Sequence, residues 1–165
     1  MEDDGSQLTA RYLSSLGLEK AKVSLEYVSE LQRAHLRKFS FNNIGVLLGR
    51  DLNLDLDPLF DRIVTKGQGG YCFEHNKLFM EVLQGLGAKV SMMMGKVTRE
   101  VSSESPRAHR FTVLKVSGDE RTYLVDVGYG PLCPRQPVPI VFGEEIEVRG
   151  GFYRFERNEY GETVF

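Results

Sequence analysis

The residues best suited to chemistry are gathered in one short segment, Gly67-Gln68-Gly69-Gly70-Tyr71-Cys72-Phe73-Glu74-His75-Asn76. Three closely spaced glycines lead into one of only two cysteines, and an apolar helical pattern begins there. Glycines let a backbone turn sharply and approach other groups closely. The first turn of a helix offers unpaired amide donors and a partial positive charge, which draw a thiol toward thiolate. Cys72 therefore has the setting of a nucleophile. The bland alternative is a small buried hydrophobe, the usual fate of a free cysteine, but a glycine loop at a helix start is a poor use of residues for that purpose.

A cysteine nucleophile needs a base, and the base needs a group to orient it. Only three histidines are available. His35 falls on the apolar side of a helical pattern with Leu25, Val28, Leu31 and Phe39, and is read as a core histidine. His75 is one helical turn from Cys72 and stays open as a flanking base. His109 has the better argument, from strand parity. Two strand-like runs, His109 to Val116 and Arg121 to Val127, are joined by Ser117-Gly118-Asp119-Glu120. A two-residue turn at Gly118-Asp119 puts His109 opposite Gly128, and one at Ser117-Gly118 puts it opposite Asp126. In either register His109 and Asp126 share a face as direct or diagonal neighbours. A carboxylate so placed can hold an imidazole. The first reading is thus a Cys72-His109-Asp126 triad, ahead of a Cys72-His75 pair. The plain alternatives are a satisfied strand histidine at His109 and a turn-forming Asp126.

The elements that must carry these groups divide the chain in two. Residues 1–87 read as helical. Leu8, Tyr12, Leu13 and Leu16 keep helical spacing up to Gly17, and a second helix starts near Ser24. Asp57-Pro58 reads as an N-cap with proline at the first helical position, with Leu59, Phe60, Ile63 and Val64 buried. From Cys72 to Gly87 one face carries Asn76, Phe79, Leu83 and Leu86, and the opposite face carries Glu74, Lys77, Glu81 and Gln84. Residues 88–165 change to a period of two. Val90, Met92 and Met94 alternate, and the methionines are expected to pack in the core. Residues 101–106 read as a loop, Gly128-Tyr129-Gly130-Pro131 breaks a strand, and Pro134, Pro137 and Pro139 mark an extended segment before Ile146 and Val148. The last run, from Phe152, is expected to turn at Asn158-Glu159-Tyr160-Gly161. The chain stops flush with a strand at Phe165, which leads us to expect a fragment of a longer protein.

At 165 residues and 41% hydrophobic content the chain suffices for a real core. A net charge of −2 offers no basic patch for nucleic acid or anionic lipid, so small or neutral partners are expected. No apolar run approaches the length of a membrane span, and the acidic start is unlike a signal peptide. Cys72 and Cys133 are far apart with no CxxC pair, so no disulfide framework or metal site is expected and a reducing cytoplasm fits best. Oligomeric state is left open.

At these residues the sequence resembles the arylamine N-acetyltransferase family. The resemblance lies in the glycine-rich lead into Tyr71-Cys72-Phe73-Glu74 with Asn76, in His109-Arg110-Phe111-Thr112-Val113-Leu114, and in Leu124-Val125-Asp126-Val127-Gly128-Tyr129-Gly130. It extends to Tyr12-Leu13 through Gly17-Leu18 and to His35 through Ile44. It implies an α+β fold: an amino-terminal helical bundle, then an antiparallel β-barrel-like domain, sharing a papain-like or transglutaminase-like Cys-His-Asp core. It also implies that Cys72 takes an acetyl group from acetyl-coenzyme A, as cosubstrate, and passes it to an arylamine, arylhydroxylamine or hydrazine. His109 would act as base, Asp126 would hold its ring, and Phe41 and Tyr129 would line the acceptor pocket. A simple core role for either aromatic is an equal alternative.

The sequence departs from the family at three points. Gln68 stands where the family usually has Arg, and Asn42 where it usually has Glu. Because those charges are expected to pair, we expect the two amides to hydrogen-bond each other instead. Family members also continue into a carboxy-terminal α/β domain that helps hold coenzyme A, and this chain stops short of it. Weak acetyl-coenzyme A affinity and some hydrolysis are therefore expected. Competing expectations are a cysteine hydrolase of papain or transglutaminase type, a related amide synthase, and a non-catalytic remnant.

Overall fold

The computed structural model describes residues 4–50, 53–97, 107–115 and 119–165. Helices come first and an antiparallel sheet follows, an α+β arrangement. The helices are α1 (Asp4–Leu16), α2 (Leu25–Lys38), a single turn α3 (Ile44–Leu47), α4 (Leu56–Phe60) and α5 (Cys72–Gly85). Ser24 caps α2, its hydroxyl accepting the Tyr27 amide at 3.2 Å. α4 runs on as a wider turn over Asp61–Thr65. Its N-cap is Asp55 rather than Asp57, which puts Pro58 at the third helical position instead of the first. Proline is tolerated there because the amides of the first turn have no partner within the helix.

A four-stranded sheet follows in chain order: β1 (Lys89–Val97), β2 (Arg107–Lys115), β3 (Thr122–Val125) and β4 (Val138–Pro139). Two hairpins complete the described chain, β5 (Glu145–Val148) with β6 (Gly151–Arg154), and β7 (Glu156–Arg157) with β8 (Thr163–Val164). The last turns over residues 158–161 as expected, with the Asn158 amide donating to the Glu162 carbonyl at 3.0 Å. The expected loop 101–106 and the turn residues 116–118 lie outside the described residues.

Both faces of β3 are covered, and this decides where the site forms. Tyr123 and Val125 join one apolar core with Leu8, Tyr12, Leu31, Phe79 and Leu83 from α1, α2 and α5. Leu124 points the other way, into a second cluster with Val138, Val148 and Phe155. The helices and the sheet thus share one interior, and α5 packs along β1 and β2.

The methionines behave otherwise than expected. Met92 is half-buried, while Met93 and Met94 are exposed, Met94 at 66%. The period of two holds for Val90, which packs against the main core, and for half-buried Met92, and fails at Met94. Glu74 also departs from its expected exposed face and is buried. It lies in the first turn of α5, where its carboxylate accepts the Tyr71 amide at 3.0 Å and pairs with Arg62.

Candidate active site

The nucleophile loop is clamped by backbone. Ser40 and Asn42 flank Gly70 as a short strand would. The Gly70 amide donates to the Ser40 carbonyl at 3.3 Å, the Asn42 amide donates to the Gly70 carbonyl at 2.7 Å, and Phe41 bridges Gly70 in parallel. Gly69 has φ +71, and a Cβ there would meet the Ser40 carbonyl oxygen at 2.2 Å. Only glycine fits this turn. Tyr71 then precedes the helix, and Cys72, partly exposed, is its first residue.

β2 and β3 pair with Thr112 opposite Val125 and Val113 opposite Leu124. Extended past the end of β3, this register sets Phe111 level with Asp126 and His109 level with Gly128. It is the register expected for a Gly118-Asp119 turn, with His109 and Asp126 as diagonal neighbours. Their side chains meet, His109 Nε2 and Asp126 Oδ2 being 2.6 Å apart. Asp126 is buried, and its other oxygen accepts Asn76 Nδ2 at 2.9 Å and the Gly128 amide at 2.8 Å. His109 also hydrogen-bonds Cys72. Since Nε2 is engaged by Asp126, Nδ1 is the nitrogen left to face the thiol.

The electrostatics follow from these contacts. Burial pulls the His109 imidazolium down, but hydrogen bonds to Asp126 and Cys72, and their charges, outweigh it and lift its pKa from 6.5 to about 9. A histidine held this way favours the protonated form beside a thiol. Cys133, by contrast, is buried, and its thiol is pushed far up by desolvation. Its sulfur accepts the Tyr129 amide at 2.9 Å, so its place is structural.

The structure brings Cys72, His109 and Asp126 together and commits His75 to other partners. His75 is buried with both ring nitrogens committed, Nδ1 to His35 Nε2 at 2.8 Å and Nε2 to the Ser40 carbonyl at 3.1 Å. His35 is buried, as expected. Tyr129 sets its ring edge-on to His109 at 4.8 Å between centroids. Phe41 is 44% exposed, and its ring is 3.5 Å from where a Cβ on Gly130 would lie.

The expected amide pair takes a different form. Asn42 Nδ2 donates to the backbone carbonyl of Gln68 at 2.9 Å, and Asn42 Oδ1 accepts the Ile44 amide at 2.9 Å. The Gln68 side chain is not the partner, because the turn presents its carbonyl to Asn42. Charge in this region is balanced instead by Arg62 and Glu74.

Three further residues brace these groups through contacts that spacing along the chain did not reveal. Asn76 joins α5 to both strands. Its Nδ2 reaches the Arg110 carbonyl at 2.5 Å as well as Asp126, and its Oδ1 accepts the Val127 amide at 3.2 Å. A polar residue on the buried face one turn after Cys72 was the available signal. Gln32 is fully buried, and its Nε2 reaches the carbonyls of Asp126 at 3.3 Å and Pro134 at 2.6 Å. Gly128 packs against the nucleophile, where a Cβ would meet Cys72 Cα at 2.7 Å. No local sequence signal marks that approach.

Residues 24–164 match the N-acetyltransferase family. The chain belongs to that family. It is 32% identical over 158 residues to an arylamine N-acetyltransferase of Mycolicibacterium smegmatis, covering 93% of this chain and 58% of the relative. The solved arylamine N-acetyltransferase of Salmonella typhimurium superposes with a TM-score of 0.82 at 28% identity, over 92% of this chain and 55% of that one. The arylamine N-acetyltransferase of Mycobacterium marinum, solved in complex with CoA, superposes with a TM-score of 0.82 at 28% identity, over 91% of this chain and 57% of that one. The chain spans about half the length of the curated relatives it matches. No helix among the described residues is long and apolar enough to cross a membrane, and no group of three or more His, Cys, Asp or Glu among them could hold a metal ion.

Proposed function

We propose that this chain carries the acyl-transfer centre of an arylamine N-acetyltransferase, working by a ping-pong mechanism through an acetyl-cysteine. The observation that carries the reading is His109, held by Asp126 at 2.6 Å and hydrogen-bonded to Cys72. Residues 1–87 would supply the nucleophile, and residues 88–165 the base and its orienting carboxylate. Membership of the family, and the CoA complex of the M. marinum relative, support acetyl-coenzyme A as donor.

In the first step the Cys72 thiolate attacks the thioester carbonyl of acetyl-coenzyme A. Backbone amides near Cys72 face the developing oxyanion, and the departing coenzyme A thiolate takes the proton held by His109. In the second step the amine attacks the acetyl-cysteine, His109 accepts the proton that the nitrogen loses, and Cys72 leaves as thiolate. Asp126 keeps the ring aimed through both. Phe41 and Tyr129 offer the flat apolar surface that suits an aromatic amine or a hydrazine bearing an aryl group. Because Cys72 is partly exposed and Phe41 is open to solvent, water competes with the amine in this chain. A cytoplasmic setting, where a free thiol persists, fits this chemistry.

Intact mass after mixing with acetyl-coenzyme A tests the reading, with Cys72→Ser as control. An acetyl increment that needs Cys72 and is discharged by an arylamine is the expected result. No increment despite fast reaction of Cys72 with iodoacetamide would turn the reading toward a hydrolase of the same triad. A slow Cys72 would end the catalytic reading.

A further inference from the structure

Three buried titratable groups have no part in the chemistry above, yet they form a continuous chain. Tyr12 Oη lies 2.6 Å from His35 Nδ1, His35 Nε2 lies 2.8 Å from His75 Nδ1, and His75 Nε2 lies 3.1 Å from the Ser40 carbonyl. Tyr12 and His35 are fully buried and His75 nearly so. The chain runs from α1 through α2 and α5 to the backbone that receives the Gly70 amide, two residues before Cys72.

The direction of the chain follows from its last member. A carbonyl can only accept, so His75 carries its proton on Nε2, and its Nδ1 accepts from His35 Nε2–H. That leaves His35 Nδ1 to accept from the Tyr12 hydroxyl. Every donor and acceptor is used once, and both rings are neutral. Burial and the neighbouring ring push His35 well below the ordinary histidine range. Burial also lowers His75, against the Ser40 and Gly70 carbonyls and Asp126, which favour its charge, and with Arg62, which opposes it. An extra proton would strand a buried donor, since the Tyr12 hydroxyl would lose its acceptor.

We propose that the Tyr12-His35-His75 relay positions the nucleophile, by holding the Ser40 carbonyl in the orientation that seats Gly70 and therefore Cys72. His75 and His35 are positioning residues, acting through backbone and touching no substrate. The role rests on Cys72 as nucleophile, and its test needs no acyl donor, so it is read apart from acetyl transfer.

The test is the rate of Cys72 alkylation by iodoacetamide in the full chain, located by peptide mass, from about pH 5 to about pH 9. Tyr12→Phe and His75→Leu are expected to slow it at least about tenfold at neutral pH, because a small displacement of a nucleophile is costly. His75→Gln, which can still accept from His35 and donate to Ser40, is expected to recover the rate to within about threefold. If His75→Leu does not fold, Tyr12→Phe, which keeps the ring, carries the test alone. Folded variants that lose thermal stability but alkylate at the parent rate, with the parent pH profile, overturn the proposal. So does a parent Cys72 no faster than free cysteine, because nothing would then be positioned.

Discussion

Asn76 Nδ2 lies 2.9 Å from Asp126 Oδ1, tying the helix that starts at Cys72 to the carboxylate that holds His109. The same amide nitrogen reaches the Arg110 carbonyl, and its oxygen takes the Val127 amide. Asn76→Leu keeps the branching of the side chain and removes these hydrogen bonds. It is expected to cost about 2–4 kcal/mol in urea denaturation, through buried polar groups left unsatisfied. It should also slow Cys72 alkylation, since Asp126 loses one of its three donors.

The lifted pKa of His109 makes stability depend on pH. The folded value, about 9, exceeds the unfolded value near 6.5, so the folded state binds the extra proton more tightly. The resulting stability is full below about pH 6.5 and is lost as pH rises through about 9. Urea melts should show a decline on the order of 2 kcal/mol across that window, and Asp126→Asn should flatten it. A parent protein whose stability is level from pH 6.5 to 9 would contradict the Asp126-His109 coupling.

At Gly128 the backbone itself is the obstacle. A Cβ there would meet Cys72 Cα at 2.7 Å and the Cys72 carbonyl oxygen at 2.8 Å. Gly128→Ala is expected to lower stability by about 1–3 kcal/mol and to reduce the acetylation rate of Cys72, as overpacking moves the helix start. Gly5→Ala is the control. Nothing lies within 4 Å of its added Cβ, and within α1 the change should stabilise by about 0.5–1 kcal/mol.

Gln68 and Arg62 should respond in opposite ways. Asn42 bonds the Gln68 backbone, so Gln68→Arg is expected to leave the unfolding free energy from urea melts unchanged within about 0.5 kcal/mol. Arg62→Ala removes the partner of buried Glu74, whose carboxyl is already raised by desolvation. A loss of about 3 kcal/mol is expected, because a buried charge is left uncompensated. Equal effects from the two changes would show that the ion pair is not where the charge balance lies.

The helical first half and the stranded second half were legible because amphipathic spacing is a local property. Tyr12, Leu13, Val28, Leu31, Phe79 and Leu83 are all buried where their period puts them. The shared face of His109 and Asp126 was legible for the same reason, since the period of a strand survives either register. Local pattern failed where a partner was distant. Met94 alternates correctly with Val90 and Met92 yet is exposed, and Glu74 sits on a polar stripe yet is buried against Arg62. Pro58 reads as a first helical residue, but the helix starts two residues earlier, at a cap that only the surrounding backbone selects.

The sequence by itself determined the cast of the site: a thiol at a helix start, and an imidazole and a carboxylate on one face of a hairpin. Spacing along the chain is enough for that, because helix and strand geometry repeat with fixed periods. Tertiary structure alone fixed the surroundings of the two histidines. His75 is three residues from Cys72, but its nitrogens are spent on His35 and Ser40. His109, far along the chain, arrives beside the thiol when α5 packs across β2. Hydrogen-bond partners across such distances are set by packing, and no periodicity encodes them.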